Sequence, residues 1–239
     1  QLLPALHLCP DLRTVLVVDA KGELPAVPHV EVLGWDAAME DSAAAPAAHR
    51  CIDADMAAIL YTSGSTGKPK GVVLSHRNMV AGAESVASYL DNTSEDRLLA
   101  VLPLSFDYGL SQLTTAFSVG ATAVLINHLL ARDVLRAVVA EKITGLAAVP
   151  PLWIQLAALD WPADCSLRYL TNSGGAMQRP TMDALRAALP NARPFLMYGL
   201  TEAFRSTYLP PAELDRRPDS MGKAIPNAEV QVLRPRSEE

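Results

Sequence analysis

The sequence predicts an α/β fold in which repeated β–α units form mostly parallel sheets covered by helices on both faces. Short apolar segments typical of buried strands alternate along the 239 residues with segments whose apolar residues recur at helical spacing. This alternation is the pattern of βαβ units, whose crossover helices cover both sides of a parallel sheet. In addition, several polar or glycine-rich segments each come directly after a predicted strand.

The predicted strands and helices follow one another with short connections. The first long helix is well defined, because Ser75 is a suitable N-cap and Met79, Ala83, Val86 and Leu90 recur at helical spacing. Residues 36–50 are rich in alanine and proline and are predicted to be a surface linker or a loose helix. Strands are predicted at residues 14–19, 30–35, 56–61, 97–102, 121–126, 145–149, 167–171, 194–198 and 229–233. Helices are predicted at residues 75–90, 110–117, 133–142, 151–159 and 180–189.

Composition and charge exclude several classes of protein. Half of the residues are hydrophobic and 19% are charged, as in globular rather than disordered chains. The net charge of −6 argues against nucleic acid or an anionic membrane as a partner. No apolar run approaches the roughly 20 residues of a transmembrane helix. The three cysteines and five histidines show neither a disulfide framework nor the spacing of metal ligands, so a cytoplasmic protein is expected.

Residues 62–71, TSGSTGKPKG, form the strongest functional motif. Glycines let backbone N–H groups approach an anion, hydroxyls add donors, and Lys68 and Lys70 add positive charge. With a strand before it and a helix opening near Ser75, the segment is predicted to bind a polyphosphate. The candidate phosphate-binding residues are Thr62, Ser63, Gly64, Ser65, Thr66, Gly67 and Lys68, and Lys70 is a candidate catalytic residue.

This segment is not a Walker A loop, which requires G-x-x-x-x-G-K-[ST]. Gly64 lies only three residues before Gly67, and Lys68 is followed by Pro69, so a P-loop NTPase is disfavoured. Ligands of open α/β sheets bind at the carboxyl ends of the strands. We therefore expect this segment to line one crevice together with three others, at residues 105–109, 173–176 and 199–202.

Residues 61–72, YTSGSTGKPKGV, resemble the phosphate loop of the adenylate-forming superfamily, which contains acyl-CoA synthetases, nonribosomal peptide adenylation domains and luciferases. Residues 198–202, YGLTE, are similar to that family's Y-G-x-T-E signature. Residues 173–176 resemble its adenine-side loop, and residues 102–109 its aromatic segment beside the acyl pocket. The motifs occur in the family's order. Residues 207–227 are also similar to a bacterial subgroup of these ligases that is associated with exosortase loci.

The resemblance implies an AMP-forming ligase that uses ATP and Mg²⁺ to convert a small carboxylic acid to an acyl-adenylate. The acceptor would be the thiol of coenzyme A or of a phosphopantetheine-bearing acyl carrier protein. The resemblance also implies a fragment, in which residues 1–54 belong to a truncated subdomain, residues 55–239 form the AMP-binding core, and the C-terminal lid is absent. Two alternatives stay open: an amino-acid-activating adenylation domain, and a non-catalytic nucleotide-binding fragment that forms little adenylate.

In the family's pattern, Thr201 would donate a hydrogen bond to the α-phosphate during catalysis, and Glu202 would bind Mg²⁺. The alternative for these two residues is the N-terminus of a helix. Tyr198 would lie near the base or would fill the core at a strand end, and Asn172 would either order the adenine-side loop or contact the base. The adenine-side residues that the resemblance implies are Gly174, Gly175, Ala176, Tyr198 and Gly199.

Phe106 and Asp107 are the candidate substrate residues. Their Ser-Phe-Asp context resembles amino-acid-activating domains, in which an aspartate holds the substrate's α-ammonium group, and Phe106 would line or gate the acyl pocket. Asp107 could equally cap the following helix. Arg205 is interpreted as a surface arginine or as a partner of Asp215 or Glu213, in preference to a ligand of carboxylate or phosphate.

Overall fold

The structure is a computed structural model that describes residues 3–6, 8–40, 50–63 and 67–233. The chain divides into two compact units, Gln1–Cys51 and Ile52–Glu239. The elements of the first unit are α1 (Leu3–Leu6), β1 (Thr14–Val17), β2 (Glu31–Gly34) and α2 (Trp35–Glu40). The domain division expected at residue 54 stays a prediction, because compactness alone does not define a domain.

The two predicted strands of the first unit are present and shorter than expected. They pair in parallel, with Thr14 opposite Glu31 and Val17 opposite Gly34. Helix α2 occupies the start of the segment predicted as a linker or loose helix. The part of that segment at residues 41–49 lies outside the described residues.

The second unit begins with an antiparallel hairpin of β3 (Met56–Thr62) and β4 (Lys70–Ser75). Helix α3 (His76–Leu90) follows, and its N-cap is Ser75, as the sequence predicts. The Asn78 N–H donates to Ser75 Oγ at 3.2 Å, and the Ser75 N–H donates back to Asn78 Oδ1 at 3.0 Å. Strand β4 was not expected. The helix therefore does not begin at the end of the phosphate-binding segment but one strand later.

A seven-stranded sheet forms the centre of the second unit. Its strands are β5 (Arg97–Ala100), β6 (Thr122–Leu125), β7 (Gly145–Ala148), β8 (Tyr169–Asn172), β9 (Arg193–Leu200), β10 (Phe204–Leu209) and β11 (Lys223–Ala224). They lie in the order β11-β10-β9-β8-β7-β5-β6. The strands from β9 to β6 are parallel to one another, whereas β10 and β11 pair antiparallel at the other edge.

Helices cover both faces of this sheet. They are α3, α4 (Asp107–Ser118), α5 (Ala131–Ala140), α6 (Pro150–Ala157) and α7 (Arg179–Ala188). Crossovers between parallel strands are right-handed, and the chain moves from β5 to β6 in one direction and from β6 to β9 in the other. Helix α4 therefore lies on the face opposite α5, α6 and α7. Packing agrees, since α3 contacts α4 while α6 contacts α5 and α7. The predicted fold class is confirmed.

A large buried side chain packs against the carboxyl ends of two strands of the sheet. Trp153 of α6 is fully buried, and its indole N–H donates to Ala148 O at 3.0 Å and to Thr171 O at 3.2 Å. This contact joins α6 to the ends of β7 and β8. Among the described helices, none is long and apolar enough to cross a membrane.

Besides β4, three features of the second unit differ from the sequence predictions. Strands β10 and β11 were not expected, because they form by hairpin pairing with β9 rather than by a β–α crossover. Helix α4 begins at Asp107, three residues before the predicted start at residue 110. Residues 229–233 are irregular rather than a strand, since a strand requires a hydrogen-bonded neighbour and none pairs with them in the described part of the chain.

Candidate active site

The phosphate-binding segment lies at the tip of the β3–β4 hairpin. Thr62 pairs with Lys70 across the hairpin, and Thr62 Oγ1 lies 3.5 Å from Lys70 O. Ser63, Gly67 and both lysines are exposed. In the described ranges neither lysine forms an ion pair. The candidate residues Gly64, Ser65 and Thr66 lie outside the described residues.

The tip of the hairpin lies far from the dipole of α3. From the tip, the six residues of β4 (Lys70–Ser75), or roughly 20 Å of extended chain, lead to the N-terminus of α3. A helix dipole acts only within about its first turn. The two exposed lysines and the backbone N–H groups are therefore the donors that this region offers to a phosphate.

The adenine-side residues line one cavity of about 580 Å³, formed by residues 172–177, 196–199 and 218–221. Pockets for small ligands and cofactors typically measure roughly 300–1,000 Å³. The backbone at Gly174 has a φ of +76°, which a residue with a side chain adopts only under strain. The loop thus turns tightly after β8, and its backbone forms one wall of the cavity. The volume of the cavity lies within the range of small-ligand pockets.

Asn172 and Tyr198 complete this wall. Asn172 Nδ2 donates to Gly175 O at 2.9 Å, so the side chain orders the loop, while its buried Oδ1 has no hydrogen-bond partner in the described structure. An unpaired acceptor of this kind suits the exocyclic amino group of adenine. The geometry is therefore compatible with both predicted roles of Asn172, ordering the adenine-side loop and contacting the base. The Tyr198 side chain is 42% exposed. The alternative that Tyr198 fills the core is therefore wrong.

Thr201 and Glu202 lie in the turn Thr201–Ala203 that joins β9 to β10. The alternative that they begin a helix is therefore wrong. Thr201 is half-buried, whereas the Glu202 carboxylate is exposed and free to meet a cation held by phosphates. Mg²⁺ commonly uses one or two carboxylates together with substrate phosphates, and Glu202 fits that donor set. The described residues contain no group of three or more acidic, histidine or cysteine side chains that would hold a metal alone.

The residue after this turn is conformationally unusual. Phe204 has a φ of +54°, a rare conformation for a bulky residue, and its ring is buried. A β-carbon at Gly82 of α3 would lie 2.5 Å from this ring, so the glycine makes room for it. Packing of Phe204 against α3 therefore anchors the turn that carries Thr201 and Glu202.

The acyl-side segment lies between the adenine-side loop and this turn. The Phe106 ring reaches within 3.8 Å of where a β-carbon of Gly174 would stand. Tyr108 is buried, and its hydroxyl lies 2.6 Å from Thr171 Oγ1. Burial raises the pKa of Tyr108 above its usual value, and the positive charge of Arg205 only partly opposes this. Tyr108 is therefore a neutral, structural member of the site.

Asp107 is the first residue of α4 and is not its N-cap, which is Phe106. The alternative that Asp107 caps the helix is therefore wrong. Its carboxylate is buried, and Oδ2 accepts a hydrogen bond from Arg205 Nη1 at 3.2 Å. Whether Asp107 also binds substrate stays a prediction.

The interpretation of Arg205 is wrong. The side chain is only 2% exposed and pairs with Asp107, which lies in a different motif. Asp215 instead pairs with Arg186 at 2.6 Å, and Glu213 pairs with Arg216 at 3.0 Å. No signal within the sequence segment around Arg205 predicts its partner, because the unexpected strand β10 turns the side chain toward α4.

The structure places three of the four motifs close to one another. The Phe106 ring of the acyl-side segment lies near Gly174, and Asp107 of the same segment pairs with Arg205, which follows the Thr201–Glu202 turn. The adenine-side loop and Tyr198–Gly199 share one cavity. For the β3–β4 hairpin tip, no hydrogen bond or ion pair to these motifs is present among the described residues.

Comparisons with known proteins agree with this geometry. A family model described as AMP-binding enzyme matches residues 1–239. The 4-coumarate–CoA ligase 2 of Oryza sativa subsp. japonica is 32% identical over 241 residues, which cover 94% of this chain and 41% of that ligase. The chain spans less than half the length of the curated 4-coumarate–CoA ligases that it matches.

Solved structures show the same fold. A complex of VinN with L-aspartate has a TM-score of 0.77 and 31% identity, and the match covers 91% of this chain and 59% of that chain. O-succinylbenzoate coenzyme A synthetase (MenE) from Bacillus subtilis, in complex with ATP and magnesium ion, has a TM-score of 0.75 and 29% identity. That match covers 93% of this chain and 47% of MenE.

Proposed function

Because this chain belongs to the AMP-binding enzyme family, we propose that the natural full-length protein activates a carboxylic acid with ATP to form an acyl-adenylate. The observation that carries this proposal is the position of the motifs after the parallel strands. Gly174, Tyr198 and Gly199 line one cavity, the Phe106 ring lies close to Gly174, and the exposed Glu202 follows Gly199 by three residues. The comparisons do not favour the alternative of a non-catalytic nucleotide-binding fragment.

In the proposed reaction, a carboxylate oxygen of the acid attacks the α-phosphorus of ATP. The bond from the α-phosphorus to its bridging oxygen breaks, and pyrophosphate leaves with the electron pair. Lys68 and Lys70 would hold the departing phosphates, and the Thr201 hydroxyl would donate to an α-phosphate oxygen. Catalysis of this kind consists mainly of positioning and charge stabilisation, which the exposed cations and the turn supply.

Mg²⁺, bound through Glu202 and the phosphates, would supply charge neutralisation between the two reacting anions. The acyl-adenylate would then react with a thiol, with release of AMP. Coenzyme A is the acceptor that we propose, by analogy with the coenzyme A ligases among the relatives. The thiol of an acyl carrier protein is the second candidate.

An amino-acid substrate is the second candidate for the acid. It is favoured by the likeness to VinN, which has been solved with L-aspartate, and by the Ser-Phe-Asp context of Asp107. A cytoplasmic location and a bacterial source remain proposals that rest on the sequence.

The test of the proposed function is ATP–pyrophosphate exchange by the natural full-length protein with pools of simple carboxylic acids and of amino acids. Acid-dependent exchange supports adenylate formation, and the pool that drives it identifies the acid class. Hydrolysis of ATP to ADP and phosphate, without acid-dependent exchange, would contradict the proposal and favour an NTPase. Thioester formation with coenzyme A, measured in the same samples, decides between the two acceptors.

A further inference from the structure

The buried pair of Asp107 and Arg205 joins two segments that the proposed function assigns to different tasks. Asp107 belongs to the acyl-side segment, and Arg205 comes three residues after Glu202. Their side chains are 5% and 2% exposed, and Nη1 of the arginine lies 3.2 Å from Oδ2 of the aspartate. Each charge therefore has the other as its buried counter-ion, because an unpaired buried charge is strongly disfavoured.

The rest of the guanidinium group is enclosed by polar and aromatic groups. Nη2 donates to Ser111 Oγ at 3.1 Å. The guanidinium carbon lies 4.4 Å from the centre of the Tyr108 ring and 5.3 Å from that of Phe204. Arginine stacks well on aromatic faces. The side chain is thus held in one place, and it is not a surface arginine that swings into the site.

One donor of this guanidinium has no partner. Arg205 Nε is buried, and no hydrogen-bond acceptor meets it in the described ranges. A buried unpaired donor is costly unless a ligand or water completes it. Arg205 also lines a cavity of about 210 Å³ whose wall includes Glu202 and Phe204. Arg205 therefore borders a space that is also lined by the residue proposed to bind Mg²⁺.

We propose that Arg205 determines the substrate class by occupying the place of a substrate ammonium group at Asp107, so that the enzyme activates acids that have no α-ammonium group. This inference rests on the proposed function. A free buried carboxylate would attract an ammonium ion, whereas this carboxylate already has a cationic partner. The guanidinium repels a second cation, and its unpaired N–H favours a hydrogen-bond acceptor on the acid. Arg205 is therefore a specificity-determining residue rather than a catalytic one.

The test uses ATP–pyrophosphate exchange by the natural full-length protein with pairs of acids that differ only in the α-ammonium group. Suitable pairs are 4-methylpentanoate with leucine and 3-phenylpropanoate with phenylalanine. We expect kcat/KM for the ammonium-free member of a pair to exceed that for the amino acid by roughly tenfold or more. The variant Arg205→Leu releases Asp107, and we expect it to shift this ratio toward the amino acid by roughly tenfold.

Two further variants separate this role from a folding defect. Arg205→Lys keeps a cation beside Asp107, and we expect the ammonium-free acid to remain preferred. The double variant D107N/R205L removes both charges, and we expect it to lose the amino-acid activity gained by Arg205→Leu. If Arg205→Leu does not fold, D107N/R205L is compared with Arg205→Lys. A weaker preference for the ammonium-free acid in the double variant supports repulsion by the cation at position 205, and an equal preference overturns the role of Arg205.

Each outcome bears on one proposal or both. Preference of the unmodified protein for the amino acids would overturn the role of Arg205 and leave adenylate formation intact. An Arg205→Leu variant that exchanges well but keeps the original preference would overturn it as well. Absence of exchange with every acid would overturn the proposed function, and this inference would fall with it.

Discussion

Two aspartate–arginine pairs with buried carboxylates lie at opposite ends of β5 and differ in how completely they are hydrogen-bonded. Asp96 directly precedes the strand and pairs with Arg168 at 2.8 Å, whereas Asp107 begins the helix after the strand and pairs with Arg205 at 3.2 Å. Both aspartate side chains are 5% exposed. The two carboxylates are therefore equally buried, whereas the Arg168 side chain is 32% exposed and the Arg205 side chain only 2%.

The pair before β5 is saturated with hydrogen bonds. Asp96 also accepts from Thr144 Oγ1 at 2.6 Å and from the Thr93 N–H at 2.9 Å. Arg168 also donates to Asp96 through Nε and, through Nη1, to Leu90 O at the end of α3. Burial alone would raise the pKa of Asp96, but these hydrogen bonds outweigh it and hold the pKa below the usual value. This pair therefore joins helix and strands.

The pair after β5 is incomplete. Arg205 Nε has no partner in the described structure. Unpaired buried groups occur near both pairs, since Asn92 Oδ1, on the side chain that donates to Asp96, has no partner either. The two pairs differ in that every nitrogen of the Arg168 guanidinium donates a hydrogen bond, which suits a structural role. A pair with an unused donor beside a cavity is a candidate for recognition.

The largest expected effect concerns Asp96→Asn, which replaces a buried carboxylate that accepts hydrogen bonds from Thr93, Thr144 and Arg168 by a neutral amide. We expect the free energy of unfolding at pH 7 to fall by about 4 kcal/mol, measured by urea denaturation of this chain. Because the pKa of Asp96 is lowered on folding, its contribution is present above the unfolded-state pKa of about 4 and is lost as the pH falls through the folded-state value. The difference in unfolding free energy between wild type and Asp96→Asn should therefore become smaller below about pH 4.

The control for this prediction is Asp91→Asn. Asp91 forms an exposed pair with Arg193 at 3.0 Å and has a φ of +53°, which asparagine tolerates. We expect a loss below about 1 kcal/mol. An Asp96→Asn protein as stable as Asp91→Asn would contradict the structural role of the pair.

The second prediction tests stability at the other end of β5. Arg205→Leu leaves the Asp107 carboxylate buried without a counter-ion, and we expect the free energy of unfolding to fall by about 3 kcal/mol. D107N/R205L removes that charge and should be more stable than the single variant. Arg186→Leu, which breaks the exposed pair with Asp215, should cost less than about 1 kcal/mol. Equal losses for the two arginines would show that burial of the pair has no energetic consequence.

The third prediction separates activity from stability at the carboxyl end. Glu202→Gln removes an exposed charge, so we expect unfolding to change by less than about 0.5 kcal/mol. We expect acid-dependent ATP–pyrophosphate exchange by the full-length protein to fall about 100-fold. Glu84→Gln, on the exposed side of α3, is the matched control and should change neither quantity. An exchange rate within threefold of wild type, which corresponds to roughly 0.7 kcal/mol, would contradict the proposal that Glu202 binds Mg²⁺.

The smallest expected effect concerns the exposed lysines of the β3–β4 hairpin. Lys68→Met and Lys70→Met should each raise KM for ATP about tenfold, with unchanged unfolding free energy. The penalty should shrink at high salt, because exposed charges are screened. Lys21→Met, another exposed lysine, serves as control. A KM unaffected by either substitution would contradict phosphate binding by this hairpin.

Much of the fold and of the candidate site could be predicted because the relevant signals are local. The alternation of strands and helices, the N-cap Ser75 and the glycine-rich segment after β8 each depend on residues a few positions apart. The second unit therefore follows the predicted order of elements from residue 97 to residue 198. The hairpins were missed because antiparallel pairing of β3 with β4 and of β9 with β10 replaces the expected β–α succession.

By itself the sequence determined the α/β class, the motifs and their family, since these depend on residue types at short, fixed spacings. The tertiary structure decided which charges neutralise each other. Asp107 and Arg205 are 98 positions apart, and Asp96 and Arg168 are 72 apart. A buried charge takes its counter-ion from whichever segment packs against it, and that neighbour is set by the order of strands in the sheet. For this reason Arg205, interpreted from its sequence neighbours as a surface residue, is buried against the acyl-side segment.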